Sequence, residues 1–525
     1  MKKIFFVLIL TLGFFACTDN FEEANRNHYL ISDEELEQDF NLLGSPFQNM
    51  LYNLFGDQIE EDLSQDSWVR HVGTPTPFVG GVNNTTYVIT WDSGNRYWNR
   101  LYNNVMSPGA QVIKLANEGG YDVYAAWAKL IQAYGASKLT TLFGPIIYSK
   151  YGVIGEANIY DSEPDLYNNL FATLDEVQSV FAANPDFKGL AKFDASYNGD
   201  IKMWMKLVNS LRLRLAIRIS KVNPTLAKQQ GEKAMSDAAG LISSNSEEFH
   251  VSLYGNKLRL AVIAFEWGDT RMGAGMESFM VGLKDDRVTK IFAPATDNTL
   301  YPDHPEWPYK GIASGAYLDA KDQRLTYSTP NESFKTKEFR RLLSYAEVCF
   351  AKAEASLRGW NGAGDAKTNY ENGVRASFAY WGAGGVDAYL ADNTSTPIDY
   401  VDPKEPKNNF TSRSDITVAW NDADSDERKL EKIITQKWLN DFNNSNEPWV
   451  DHRRTGYPKL PYNPKNDSNA DWGVIPADEF LKRVRFPISE RNNNPDGVAD
   501  AAAKLGGPDL ISTRLWWDTG NPNNF

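Results

Sequence analysis

Cysteine is almost missing from this chain of 525 residues: Cys17 and Cys349 are the two, too few for the disulfide framework that staples small secreted scaffolds. Histidine is scarce as well. The five at 28, 71, 250, 304 and 452 stand singly, with no H-E-x-x-H and no metal-ligand spacing. A G-x-S-x-G elbow is lacking, and Cys349 sits in an apolar helical stripe unsuited to a nucleophile. Basic charge is in deficit too. A net charge of −14 argues against nucleic acid or an anionic membrane surface as partner. Asp422, Asp424 and Asp426 alternate as in a calcium loop, but Glu427 stands where such a loop needs Gly, and Ile433 where it needs Glu. They read better as the acidic first turn of a helix over 427–442, with Lys429, Lys432 and Lys437 on a solvated face. No cofactor is expected, though structural calcium held by loop carbonyls stays open. The paired carboxylates of a glycosidase are not legible either, because 68 acidic residues make coincidental pairs common. The chain is read as a non-enzyme.

Long apolar runs are also missing, with one informative exception. Ile4 to Ala16 is a run of 13 mainly apolar residues behind Lys2-Lys3. It is shorter than the roughly 20 residues that span a bilayer, and has the anatomy of a signal peptide over 1–16. It ends in Phe14-Phe15-Ala16-Cys17, which resembles a bacterial lipobox with Phe where Leu is usual. Cys17 is then the lipidation site, and acyl chains at about 0.8 kcal/mol per buried CH₂ would anchor the protein. Residues 17–32 follow as a polar, acidic tether.

What the chain has in quantity is helical periodicity and aromatic rings: 15 Trp, 25 Tyr and 27 Phe. In Glu338 to Trp360, apolar and small residues at Leu342, Tyr345, Ala346, Cys349, Phe350, Ala353 and Leu357 draw one helical stripe. Arg340, Glu347, Lys352 and Arg358 point away from it. Ala346, Phe350 and Ala353 match the second helix of a tetratricopeptide repeat, in which small residues admit a neighbouring helix and Phe fills the gap. Further helices are expected from Asp33 to Leu54, Tyr97 to Glu118, Tyr121 to Phe143 and Ser162 to Phe181. Others are expected from Ile201 to Val222, Pro224 to Leu241 and around Tyr370, Gly373 and Val374. Arg212, Arg214 and Arg218 are expected to find structural carboxylate partners. Leu258 to Phe265 reads as β-like.

Four stretches together carry a resemblance: Lys129–Pro145, Asn198–Ile219, Ser344–Trp360, and a C-terminal set. That set comprises residues 438–441, 449–458, 485–490 and 506–518. With the lipobox, they make the chain resemble a SusD/RagB-type outer-membrane lipoprotein. The resemblance implies a mainly α, SusD-like fold with degenerate tetratricopeptide-like helix pairs, an irregular loop-rich ligand-binding face and little β. It further implies one domain over 33–525. Helical repeats would occupy 33–65, 97–241, 338–382 and 427–442, and binding insertions 66–96, 250–335 and 383–426. Its functional implication is an outer-membrane protein, lipid-anchored and facing the extracellular side. Such a protein captures oligosaccharide and delivers it to a SusC-like TonB-dependent transporter. An oligopeptide-binding RagB-like protein is the alternative, and a surface glycosidase a more distant one. Asp451-His452-Arg453-Arg454 and Leu515-Trp516-Trp517-Asp518 are expected to tie the C-terminal segment to the helices.

A pyranose offers an apolar C–H face and a rim of hydroxyls, so it wants a flat aromatic platform beside polar groups. Loop tryptophans are the candidates: Trp68 and Trp91 with Asn83, Trp267 with Arg271, and Trp307 with Tyr309 in a proline-stiffened run. Any single one of them serves core packing as readily.

Overall fold

The computed structural model describes residues 40–89, 93–153 and 159–525. The leader, Cys17, the tether and Trp91 lie outside those residues. The molecule is mainly helical. Helix α1 (Pro46–Tyr52) is followed by α2 (Ser107–Gly119), α3 (Asp122–Phe143), α4 (Glu163–Ala183), α5 (Ile201–Arg218) and α6 (Pro224–Ser236). Then come α7 (Ala274–Gly282), α8 (Tyr345–Leu357), α9 (Ala366–Trp381), α10 (Asp426–Asn440) and α11 (Asn446–Thr455). Strands among the described residues form two short antiparallel pairs. β1 (Val72–Gly73) pairs with β3 (Arg271–Met272), and β2 (Phe249–Ser252) with β4 (Phe339–Leu343).

Consecutive helices pack on one another, α2 through α6 in series and α8 on α9. Their starts follow local chemistry. The Ser162, Asp200, Ser344, Asp365 and Ser425 side chains each accept a first-turn backbone N–H, satisfying donors the helix itself cannot. Small residues then set the spacing. Ala346, Phe350 and Ala353 are wholly buried, and a Cβ at Gly373 of α9 would lie 2.6 Å from the Phe350 ring. The expected small-and-aromatic seam is therefore present.

Buried ion pairs lock this frame. Arg214 on α5 forks onto Glu347 of α8 at 2.6 and 2.7 Å, and Arg218 onto Glu447 of α11 at 2.7 and 3.0 Å. Arg212 reaches Asp175 on α4 at 2.5 Å. In the Asp451–Arg454 cluster, Arg454 forks onto Glu354 of α8 at 2.6 and 2.8 Å. In the pairs buried on both sides, removing one member would strand the other, at a cost of about 3–5 kcal/mol. Leu515, Trp517 and Asp518 are buried against the body.

Four expectations need correction. The helix begins at Tyr345, not Glu338, because Phe339–Leu343 pairs with Phe249–Ser252 as a strand and Ser344 caps the turn between them. Glu347 points into the core, where Arg214 neutralises it. Arg259–Trp267 is helical, its second part a π-turn. A short apolar run such as 258–265 has no periodicity that separates strand from buried helix. Lys432 and Lys437 are buried instead of solvated: Lys437 meets Asp451 at 2.8 Å, and Lys432 meets Asp424 at 3.1 Å.

One main apolar core runs through the helices. A second, small core lies under the loops: Ala274, Ala295, Leu300, Ile312, Ala313, Ala316, Tyr327 and Tyr400.

Candidate functional site

Above that small core opens a cleft of about 510 Å³. Its walls are the end of α7 with Lys284, the run Thr299–Trp307, and residues 398–403. Trp307 lines it half-buried, with Tyr301 and His304. Ile398 and the half-exposed Val401 face them, and Asp303, Glu306, Asp399 and Lys284 supply exposed polar groups.

The proline-punctuated run holds these rings by its own backbone. Trp307 N–H donates to the His304 carbonyl at 2.9 Å, and Tyr309 N–H to the Trp307 carbonyl at 2.7 Å. His304 Nδ1 lies 2.8 Å from the Trp307 carbonyl. A carbonyl only accepts, so Nδ1 carries the proton. Tyr301 stacks near His304 with ring centroids 6.2 Å apart and planes 18° from parallel. Beneath them Glu277 accepts from Lys310 Nζ at 2.7 Å and Gly311 N–H at 2.6 Å. His304 Nε2 lies 3.4 Å from the same carboxylate. Burial depresses the His304 pKa, but the hydrogen bond and charge of Glu277 outweigh it, so the value ends above the ordinary one.

The facing wall is braced as firmly. Asp402 accepts from Arg324 at 2.9 Å, Tyr327 Oη at 2.9 Å and Asn408 at 2.7 Å. Burial raises its pKa, yet these donors and the Arg324 charge hold it below the usual carboxylate value. Tyr400 Oη donates to the Gly311 carbonyl at 2.7 Å, tying both walls to one strip of backbone. The cleft is thus preorganised, with apolar ring faces and polar atoms already fixed.

Trp267 stands elsewhere, its ring 45% exposed at a helix end closed by Gly268 in the left-handed region (φ 68°). Asp269 beside it gathers three separate segments, accepting from Thr76 at 2.6 Å, Lys321 at 2.7 Å and Gln58 at 3.4 Å. Thr76 and Asp269 thus bring residues of 66–96 and 250–335 together at this point.

The other candidates are turned inward. Trp68 is 2% exposed; its Nε1 donates to the Asn84 carbonyl at 2.9 Å and its ring packs on Trp449. Asn83 is buried and accepts from Thr85 N–H while donating to the Phe78 carbonyl. Tyr309 is buried behind Trp307. Arg271 is buried with its guanidinium on the Thr270 and Leu325 carbonyls. Burial lowers its pKa to about 10, against the raising charge of Asp269. None of these four presents a ligand surface in this conformation. Tyr301 and His304, in the same proline-rich run, line the cleft without being sequence candidates. Asp399 and Val401, about a hundred residues downstream, left no local signal.

Among the described residues, no three His, Cys, Asp or Glu side chains gather as a metal site requires, and no helix is long and apolar enough to cross a membrane.

Comparison with known proteins agrees with this architecture. The solved structure of a chitin-binding SusD homologue from Flavobacterium johnsoniae matches with a TM-score of 0.86 and 37% identity, over 92% of this chain and 100% of that one. A SusD-like protein from Bacteroides thetaiotaomicron VPI-5482 gives 0.83 and 31%, over 92% and 100%. A SusD homologue from Bacteroides vulgatus ATCC 8482 gives 0.85 and 30%, over 92% and 99%. No curated protein matches significantly. The family model for SusD-like proteins, the SusD and RagB outer membrane lipoproteins, matches residues 23–518. With nearly the whole chain so matched, this protein belongs to the SusD-like family of outer-membrane lipoproteins.

Proposed function

We propose that this protein captures oligosaccharide at the outer membrane, facing the cell exterior, and hands it to a SusC-like TonB-dependent transporter without chemically altering it. The observation that carries the reading is the Trp307 ring on the wall of a braced cleft, flanked by Tyr301, His304, Asp303 and Asp399. One sugar ring stacks on the indole while its hydroxyls meet the carboxylates and Lys284. Trp267 offers a second, shallower platform. Chitin fragments are the first ligand to test, because a relative at 37% identity is a chitin-binding SusD homologue. The buried carboxylate nearest the cleft, Glu277, is committed to Lys310 and the Gly311 amide, which favours binding over hydrolysis.

Calorimetric titration with N-acetylglucosamine oligomers and a panel of neutral glucans and mannans tests this. Trp307→Ala should weaken the bound glycan at least tenfold, about 1.4 kcal/mol or more, and Trp267→Ala less. Should no glycan bind, or should both variants bind like the parent, the assignment fails.

A further inference from the structure

Sharing no lining residue with the cleft is a second pocket, of about 170 Å³. It lies between the last turn of α11, the segment around Phe480 and Lys482, Arg413, and the C-terminal strap from Arg514 to Pro522. Five cationic side chains line it: Arg413, Arg453, Arg454, Lys482 and Arg514. No Asp or Glu is among its lining residues.

Three of the five cations are balanced from outside the pocket. Arg454 is held by Glu354 and Asp451, Lys482 by Glu479, and Arg514 by Asp518. Arg413 and Arg453 have no ion-pair partner among the described residues. Arg413 Nη1 donates only to the Leu460 carbonyl at 2.7 Å, and its guanidinium lies 3.9 Å from the centroid of the Tyr462 ring. Arg453 is 6% exposed and clamped between Trp449 and Trp517, at 3.4 and 4.7 Å from the ring centroids. Its Nε and Nη1 donate to the carbonyls of Trp449, Thr141 and Lys482, and its Nη2 has no acceptor. A buried guanidinium with no carboxylate in contact and incomplete hydrogen bonding is costly unless something else completes it. Burial lowers its pKa to about 9, against the raising charge of Asp518. Arg413 and Lys482 are lowered for the same first reason.

We propose that this pocket binds one compact oxyanion, a sulfate or phosphate group, whose charge completes Arg413 and Arg453. Room for a few waters at about 30 Å³ each suits a single tetrahedral group and is tight for a hydrated sugar chain. Arginine forks match such oxygens geometrically. The group is either a free inorganic ion or the substituent of a modified sugar, and the experiment separates the two.

Sodium sulfate and sodium phosphate are titrated calorimetrically into the protein at fixed ionic strength in chloride buffer. One-to-one saturation is expected, with binding weakened at least tenfold in Arg413→Gln and in Arg453→Met. Arg413 is exposed at the rim, so its variant keeps the test alive should Arg453→Met fail to fold. Melting temperature rising with sulfate in the parent but not in Arg413→Gln gives a second readout. N-acetylglucosamine 6-sulfate is then added as competitor. Displacement of inorganic sulfate supports the site and assigns it to a sugar substituent; its failure to displace supports the site and assigns it to the free ion. Absence of saturable binding by either anion, or equal binding by the Arg413 variant, overturns the proposal.

Discussion

Glu163 shows how much a single buried side chain can govern. It opens α4 behind the Ser162 cap, 2% exposed, with one oxygen on the Trp516 amide at 2.8 Å and the other without a partner. Burial pushes its pKa up to about 7, despite the lowering influence of that amide, Arg483 and Arg453. The sign follows directly. The folded chain holds the proton where the unfolded chain, titrating near 4.5, has released it. Stability from this group is therefore full below pH 4.5 and lost as pH rises through 7, on the order of 2–4 kcal/mol. Glu163→Gln, a mimic of the protonated form, should be less sensitive than the parent to a change from pH 5 to pH 8 in urea denaturation. Identical pH slopes in the two proteins would remove Glu163 from the account. Aromatic residues teach a second lesson at this scale. Trp68, Trp267 and Trp307 all sit in polar, loop-like sequence, yet one is sealed, one half-exposed and one walls a cleft. What seals Trp68 is Trp449, nearly four hundred positions away, and no local pattern reports such a partner.

Among elements, α8 was legible in its stripe and illegible at its front, where Ser344 caps it. The residues Phe339–Leu343 satisfy helical periodicity as well as they satisfy a strand, and only the pairing with Phe249–Ser252 decides between them. Tertiary context overrides local preference in this way whenever a partner edge is available. The seam behind α8 yields a sharp test. A methyl at Gly373 would press within 2.6 Å of the Phe350 ring, on a helix that touches α8 along its length. Gly373→Ala normally favours a helix by roughly 0.5–1 kcal/mol; here overpacking, typically about 1–3 kcal/mol, should win, for a net loss on the order of 1–2 kcal/mol. Chemical denaturation measures it, and a stabilised variant would mean that Phe350 moves aside freely.

At the scale of the whole molecule, sequence pattern anticipated the mainly helical frame, and the resemblance carried by four stretches anticipated the family. The frame is written in repeated small and apolar residues and in local caps. Which loops meet was not written there, because the meeting points, such as Asp269 with Thr76 and Lys321, join residues far apart in the chain. The C-terminal strap makes the long-range debt measurable. Ending the chain after Arg514 removes the buried Leu515, Trp517 and Asp518 and the amide that satisfies Glu163. Loss of one buried Trp alone costs about 3–5 kcal/mol, so the shortened protein should melt well below the parent in calorimetry. An unchanged melting point would show the strap to be dispensable. The small core of eight residues beneath the cleft has a different consequence, which concerns descent. Part of the cleft rests on it, through Leu300 and Tyr301, while Val281, Trp307 and Ile398 pack on the main core, so changes on the Leu300–Tyr301 side fall where the helical frame feels them least. Descendants of this plan can therefore recut that wall of the cleft while inheriting the same skeleton.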